Sequence, residues 1–325
     1  MRLRLVLEGG GICGLYQVGV LNEVRRRETA GEFSIDAISG ASIGSYLAFA
    51  YFNGSLDEAV ETVAMGRRCL RERQYGSTAF FDAVKEQILG CSDEVFDQVK
   101  EGTLYSTRTH ISRACTVIDT AYGTREDLAD ALLCSMHIPY VTGTSWYRIS
   151  DDGHRYTDGV FPSVFRDRQG EDYRTMYVAS TAFICPQHTL GGWSTAADRV
   201  RQGEEDARVF FRSGRTSRYC SYVDQWGIVD FAALRAKQSL AWLVRTGIFL
   251  LTSLIAGVLV PLKILVSTLL DDVMLHMAFS DFGSGSLSHD IVVAVVGTVT
   301  MMWTVIVETA RELSTNTHRC SSEFH

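Results

Sequence analysis

The sequence predicts an α/β fold, a parallel sheet flanked by helices, on three observations. Arg2 to Leu7 alternates with period two and is rich in branched residues, the pattern of a strand entering a sheet. A glycine cluster follows and opens an apolar-periodic segment, Leu15 to Arg27, that reads as a helix. The same succession then repeats: Phe33 to Ile38 reads as a strand ending at Ser39-Gly40, and Ile43 to Phe52 as a helix with small residues on one side. Strand, turn, helix, repeated, is the order of a parallel sheet with helical crossovers.

Further along, Leu56 to Arg73 and Phe80 to Leu89 read as helices, and His110 to Asp119 as a strand. Thr124, followed by Glu126 and Asp127, predicts a capped helix start, and that helix is expected to stop before Pro139. Arg174 to Thr181 reads as a strand and Ala196 to Arg212 as a charged helix. The arginine runs 25–27 and 67–73 read as solvated helix ends or faces, with contact to lipid headgroups as the alternative.

The last third changes character. Thr246 to Leu262 carries no charge, the apolar run resumes after Lys263 to Leu270, and Ile291 to Val307 is a second uncharged run. Seventeen helical residues span roughly 25 Å, so with tolerable neighbours the two runs predict a transmembrane pair at about 246–270 and 291–307. Buried core helices are the alternative. Arg235, Lys237 and Arg245 precede the first run, Asp271, Asp272, Asp281 and Asp290 fill the connection, and Arg311 and Arg319 follow the second. That asymmetry predicts an integral membrane protein whose first domain, 1–225, faces the cytosol, with 226–325 as the membrane-anchoring region. A net charge of −7 provides no basic field for nucleic acid. The eight cysteines share no C-x-x-C spacing, so neither a disulfide framework nor a metal site is expected.

Two motifs carry chemistry. Gly40-Ala41-Ser42-Ile43-Gly44 is a G-x-S-x-G pentapeptide between a predicted strand and a predicted helix. A serine there projects from a tight turn at a helix N-terminus, and the small residues Gly40 and Gly44 let strand and helix approach. A purely structural turn is the alternative. Gly9, Gly10, Gly11 and Gly14 follow the first strand and open a helix, so their backbone N–H groups could hold an oxyanion. Gly9, Gly11 and Gly14 also match G-x-G-x-x-G, which leaves a dinucleotide site open, with Glu28 or Glu32 near the expected acid. The serine needs a base. His110, His137, His154 and His188 precede the greasy tail, none in a compelling setting, and Asp158, before Gly159, is the other candidate. Ser42 follows only two strands, which argues against an α/β-hydrolase fold, where the nucleophile comes after about five.

Together these signals resemble the patatin-like phospholipase family, and most closely its adiponutrin-like branch. The resemblance rests on GGGICGLYQVGVL with Tyr16 and Gly19, on the pentapeptide about 30 residues later, on REDLADALLCSMHIPYVTG with Ser135, Ile138 and Pro139 in register, and on RYTDGV; it covers roughly residues 3 to 185. It implies a three-layer α/β/α fold and a Ser-Asp dyad acting on acyl esters of glycerolipids, without metal or cofactor. Ser42 would attack, Asp158 would be the base, backbone around Gly9, Gly10, Gly11 and Gly14 would form the oxyanion hole, and Gly159 would support the turn. Two positions depart from the pattern: Cys13 stands where many members have Arg or Lys, and Val160 where the motif has Gly or Ala. A catalytically silent lipid-binding or tethering module, and an acyltransferase using the same acyl-enzyme, are the competing expectations.

Overall fold

The computed structural model describes residues 1–72, 78–113, 115–139, 142–143, 145–165, 173–179, 195–217, 219–243 and 246–247. They fall into one compact unit, Met1–Leu234, and the start of a second, Arg235–His325. The first uncharged run beyond residue 247 and the whole of the second lie outside the described residues. Among the described residues no helix is long and apolar enough to cross a membrane.

In chain order the first unit contains β1 (Arg2–Leu7), α1 (Gly14–Thr29), β2 (Ser34–Ala41), α2 (Ile43–Phe52), α3 (Leu56–Arg71), α4 (Ala79–Leu89), α5 (Asp93–Val99), β3 (Glu101–His110), β4 (Cys115–Ala121), α6 (Arg125–Ser135), β5 (Arg148–Ile149), β6 (Arg155–Asp158), β7 (Tyr173–Val178), α7 (Ala196–Ser213) and β8 (Cys220–Tyr222). A further helix covers 228–243.

The sheet runs β5-β6-β3-β2-β1-β7-β8, with β4 also paired to β3. β3, β2, β1 and β7 are parallel, as expected, whereas β4, β6, β5 and β8 join antiparallel, so the sheet is mixed. The predicted strand His110 to Asp119 is corrected: it is the close of β3, a turn at 111–113 and the opening of β4. Ile-Ser-Arg carries none of the glycine, proline or asparagine that marks a tight hairpin, so the sequence masks the reversal.

The pleat divides the core. Leu3, Leu5 and Leu7 of β1, with Met176 and Val178 of β7, join the large cluster formed with helices α1 to α4, α6 and α7. Val6 and Tyr177 belong to a second cluster, which takes in Val164, Phe165, Val223, Trp226 and Leu234. α6 begins as expected, with Thr124 and Asp127 forming a reciprocal capping box. The arginine run 25–27 is more engaged than a solvated end: Arg26 and Arg27 pair with the buried Glu23, and Arg25 lies over the Tyr51 ring. Those two arginines hold the Glu23 carboxyl down at about 2. The stretch from Thr195 to Tyr222 completes the fold, α7 packing on α1 and β8 extending the sheet beside β7.

Candidate active site

The sequence builds the elbow by close approach. A side chain on Gly40 would meet the backbone of Gly44 and Ser45 at 2.4 Å, and one on Gly44 would meet Leu7 O at 2.5 Å. β2 therefore turns into α2 within one residue only because both positions lack a Cβ. Ser42 is that residue: it precedes α2 with φ 54° and ψ −129°, a backbone state that costs about 1–3 kcal/mol and persists only where its surroundings enforce it. It is 5% exposed. The N-terminal end of α2 begins at its carbonyl, with Ser45 N–H donating to Ser42 O at 2.9 Å.

Ser42 and Asp158 are 116 positions apart in sequence, and one strand brings them together. β2 pairs with β3 through Ala41 opposite Thr107; β6 continues along the same edge in the opposite sense, with Asp158 opposite Arg108. β4 occupies the other edge of β3 over both stretches, so β2 and β6 meet end to end. The Thr107 hydroxyl bridges the junction, donating to Phe161 O at 2.9 Å and lying 3.4 Å from Gly40 O. Gly159 lies so close to β3 that a Cβ would sit 1.9 Å from Thr107 O. Asp158 is buried, its Oδ1 accepting from Val160 N–H at 2.6 Å and its own N–H donating to His137 O at 2.9 Å.

The glycine loop lies against the same point. A Cβ on Gly9 would stand 3.2 Å from Ser42 Cβ and 2.7 Å from Val160 O, so the loop fits between Ser42 and the aspartate turn only as glycine. Gly11 has φ 52° with nothing close by; its requirement is conformational. Gly10 O accepts from Cys13 N–H in the single 3₁₀ turn that leads into α1, and Gly14 packs on Ile43, where a Cβ would meet Cγ1 at 2.7 Å. Cys13 is half-buried at the start of α1.

Among the described histidines, none brings its ring to this junction. His110 lies three residues farther along β3, packed on His154 and Tyr156 with ring centroids 5.0 and 5.2 Å away. His137 contributes its carbonyl, but its ring is buried with Nε2 3.1 Å from Ser145 O. His188 lies outside the described residues. The dinucleotide alternative loses its acid: Glu28 accepts from Ile35 N–H and Tyr51 O–H, and Glu32 pairs with Arg27.

Burial pushes the His137 imidazole down to about 4 from its ordinary 6.5. Between those values the unfolded chain binds a proton that the folded one refuses. The stability from a neutral His137 is therefore complete above about pH 6.5 and lost as pH falls toward 4, on the order of 3 kcal/mol in all. The urea midpoint is expected to drop less between pH 7 and 4.5 in His137→Gln than in the parent; equal drops would contradict this.

Val160, at φ 58°, is a β-branched residue in the left-handed region. Its side chain explains the departure from the Gly or Ala pattern only as a tolerated strain. Val160→Gly is expected to raise stability by about 1 kcal/mol, the relief of that strain less the extra chain entropy of glycine. An unchanged or lower urea midpoint would show the turn to be unstrained.

Several participants were not singled out as site residues by sequence reasoning. Ser135, the last residue of α6, accepts from Ser42 N–H. Thr107 fell in no predicted element. Glu8 is fully buried just before the glycines, and the Tyr177 phenol is raised well above its usual value by burial and by that nearby carboxylate. An acid directly following a period-two apolar strand was the available signal. Arg108, over the Tyr156 ring and against Asp119, Asp130 and Asp152, ties the β5–β6 hairpin that carries Asp158 to α6 and β4.

The family model for patatin-like phospholipase matches residues 5–164, a span that contains the glycine loop, the elbow and the aspartate turn. Residues 5–164 form a domain of the patatin-like phospholipase family. Patatin-like phospholipase domain-containing protein 2 of Bos taurus is 31% identical over 157 residues, which are 46% of this chain and 32% of that protein. The chain thus spans about a third of the length of this curated relative. Among solved structures, VipD from Legionella pneumophila is similar over 65% of this chain and 66% of its own, with a TM-score of 0.37 and 11% identity, a likeness too distant to carry function. The mixed sheet with surrounding helices fits a patatin-like α/β fold.

Proposed function

We propose that this protein is a lipid acyl hydrolase that cleaves fatty-acyl esters of glycerolipids, with Ser42 as nucleophile and Asp158 as base. The observation that carries the reading is the meeting of β2 and β6 on one edge of β3, with Ser42 in a strained elbow and Asp158 at the adjoining register position. Membership of residues 5–164 in the patatin-like phospholipase family supports the lipid ester as substrate class.

In this reading Ser42 Oγ attacks the acyl carbonyl while Asp158 takes its proton. Backbone N–H groups of the Gly9–Gly11 loop, with Gly14 packing the following helix onto the elbow, stabilise the tetrahedral oxyanion, and the α2 N-terminus favours the same charge. Asp158 returns the proton to the departing alcohol. Water, deprotonated by Asp158, then attacks the acyl-serine ester, and Asp158 passes that proton to the departing Ser42 Oγ as the fatty acid is freed. The reading assigns the apolar runs at 246–270 and 291–307 to a bilayer anchor, with the enzymatic unit on the cytosolic side. Ile228 and Val229, 89% and 78% exposed at the start of the last described helix, support contact with an apolar surface.

The test is release of free fatty acid from phosphatidylcholine vesicles and from a triacylglycerol emulsion by the detergent-purified chain. Release from either supports the reading, and the preferred ester names the substrate. A chain inert on both contradicts it and favours the silent lipid-binding module.

A further inference from the structure

Beneath the elbow lies a set of hydroxyls whose hydrogen bonds have one consistent direction. Ser135 Oγ donates to Thr107 O at 2.6 Å, leaving its lone pairs to accept. They take Ser42 N–H at 2.9 Å and the Ser45 hydroxyl at 3.0 Å, and Ser45 in turn accepts from Ser106 Oγ at 3.2 Å. Ser45, Ser106, Thr107 and Ser135 are all fully buried. The backbone of Ser135 faces the other partner: its carbonyl accepts from Gly159 N–H, the residue after Asp158, at 3.1 Å. One residue at the end of α6 thus touches the elbow through its side chain, the central strand through the same oxygen, and the aspartate turn through its carbonyl.

We infer that Ser135 is a positioning residue for the reaction, holding the Ser42 elbow and the Asp158 turn in one fixed relation. The inference rests on the hydrolase reading above. Ser42 has a backbone conformation it would leave if unconstrained, and the bond from its N–H to Ser135 Oγ opposes rotation of the Ala41–Ser42 peptide. The role demands a small group that both donates and accepts. Alanine leaves the Ser42 N–H and the Thr107 carbonyl bond unmade, threonine adds a methyl where no space is exposed, and cysteine offers longer, weaker bonds.

A residue that only supports the core would lower stability and leave turnover per folded molecule intact. A positioning residue lowers kcat at nearly constant KM. The experiment compares the full-length parent with Ser135→Ala, Ser135→Cys and Ser45→Ala, measuring Tm, kcat, KM and the rate at which a fluorophosphonate labels Ser42. Ser45→Ala removes a hydrogen bond from the same cluster but keeps the Ser42 amide on Ser135. Ser135→Ala is expected to lower kcat and labelling rate about 100-fold per folded molecule, as a displacement near 1 Å does, with KM changed less than about threefold. Ser45→Ala is expected to lose a similar amount of thermal stability and less than about threefold in kcat. Should Ser135→Ala not fold, Ser135→Cys carries the comparison and is expected to fall at least about tenfold below Ser45→Ala. Equal losses in the Ser135 and Ser45 variants, or losses that follow the folded fraction, would overturn the positioning role while leaving the hydrolase reading intact. A parent that neither turns over nor labels removes the hydrolase reading and this role with it.

Discussion

Ser42→Ala is expected to reduce fatty-acid release at least about 10⁴-fold, to the level that binding and the oxyanion loop supply without a nucleophile. Asp158→Asn is expected to fall by a similar factor, because an amide cannot take the serine proton, although it keeps an oxygen for the Val160 N–H. Combining the two should add little, since nucleophile and base act as a unit. Both variants are expected to remain folded, as each keeps the shape of the side chain it replaces to within an atom or a hydroxyl. Single-turnover release of a labelled acyl chain, with circular dichroism as the check on folding, measures this. Variants that retain more than about a tenth of parental turnover would exclude the dyad.

Gly203→Ala and Gly19→Ala carry the largest expected effects on stability. α1 and α7 cross where these two glycines face the opposing backbone: a Cβ on Gly203 would lie 2.0 Å from Tyr16 O, and one on Gly19 would lie 1.9 Å from Val200 O. Backbone carbonyls cannot step aside as a side chain can, so the helices must part along their length. The crossing also positions Tyr16, whose hydroxyl bonds Asp206, and Asn22, which bonds Glu204. Each substitution is expected to cost about 3–5 kcal/mol, a large share of the stability of a domain this size. Urea denaturation monitored by far-ultraviolet circular dichroism tests it; a loss below about 1 kcal/mol would mean that the helices adjust freely.

The parts of the fold that could be read from the sequence are those with local causes. β1, α1, α2 and α6 follow from periodicity and capping, and the elbow from glycines whose close contacts the structure then explains. Ser42 and the glycine loop were legible as motifs because each needs a particular residue type at a particular spacing, whereas Asp158 was one candidate base among several and was singled out by the family resemblance. What escaped depends on partners distant in the chain. β3 was seen only at its last residue, because Glu101 to Thr109 is polar by composition, yet Ser106, Thr107 and Arg108 are buried in the middle of the sheet, where Thr107 and Ser106 serve hydrogen bonds rather than packing. β5 and β6 are two and four residues long, too short for a period to register. Ser135 lay in a recognised stretch, but nothing local distinguishes a helix-terminal serine that caps from one that receives an amide 93 positions away.

The measurement that bears most directly on the central claim is mapping of a fluorophosphonate adduct on the full-length protein by peptide mass spectrometry, run beside Asp158→Asn. The account predicts a single adduct on Ser42 in the parent, formed at least about 100-fold more slowly in the Asp158 variant. An adduct on another residue, or equal labelling of parent and variant, would contradict it.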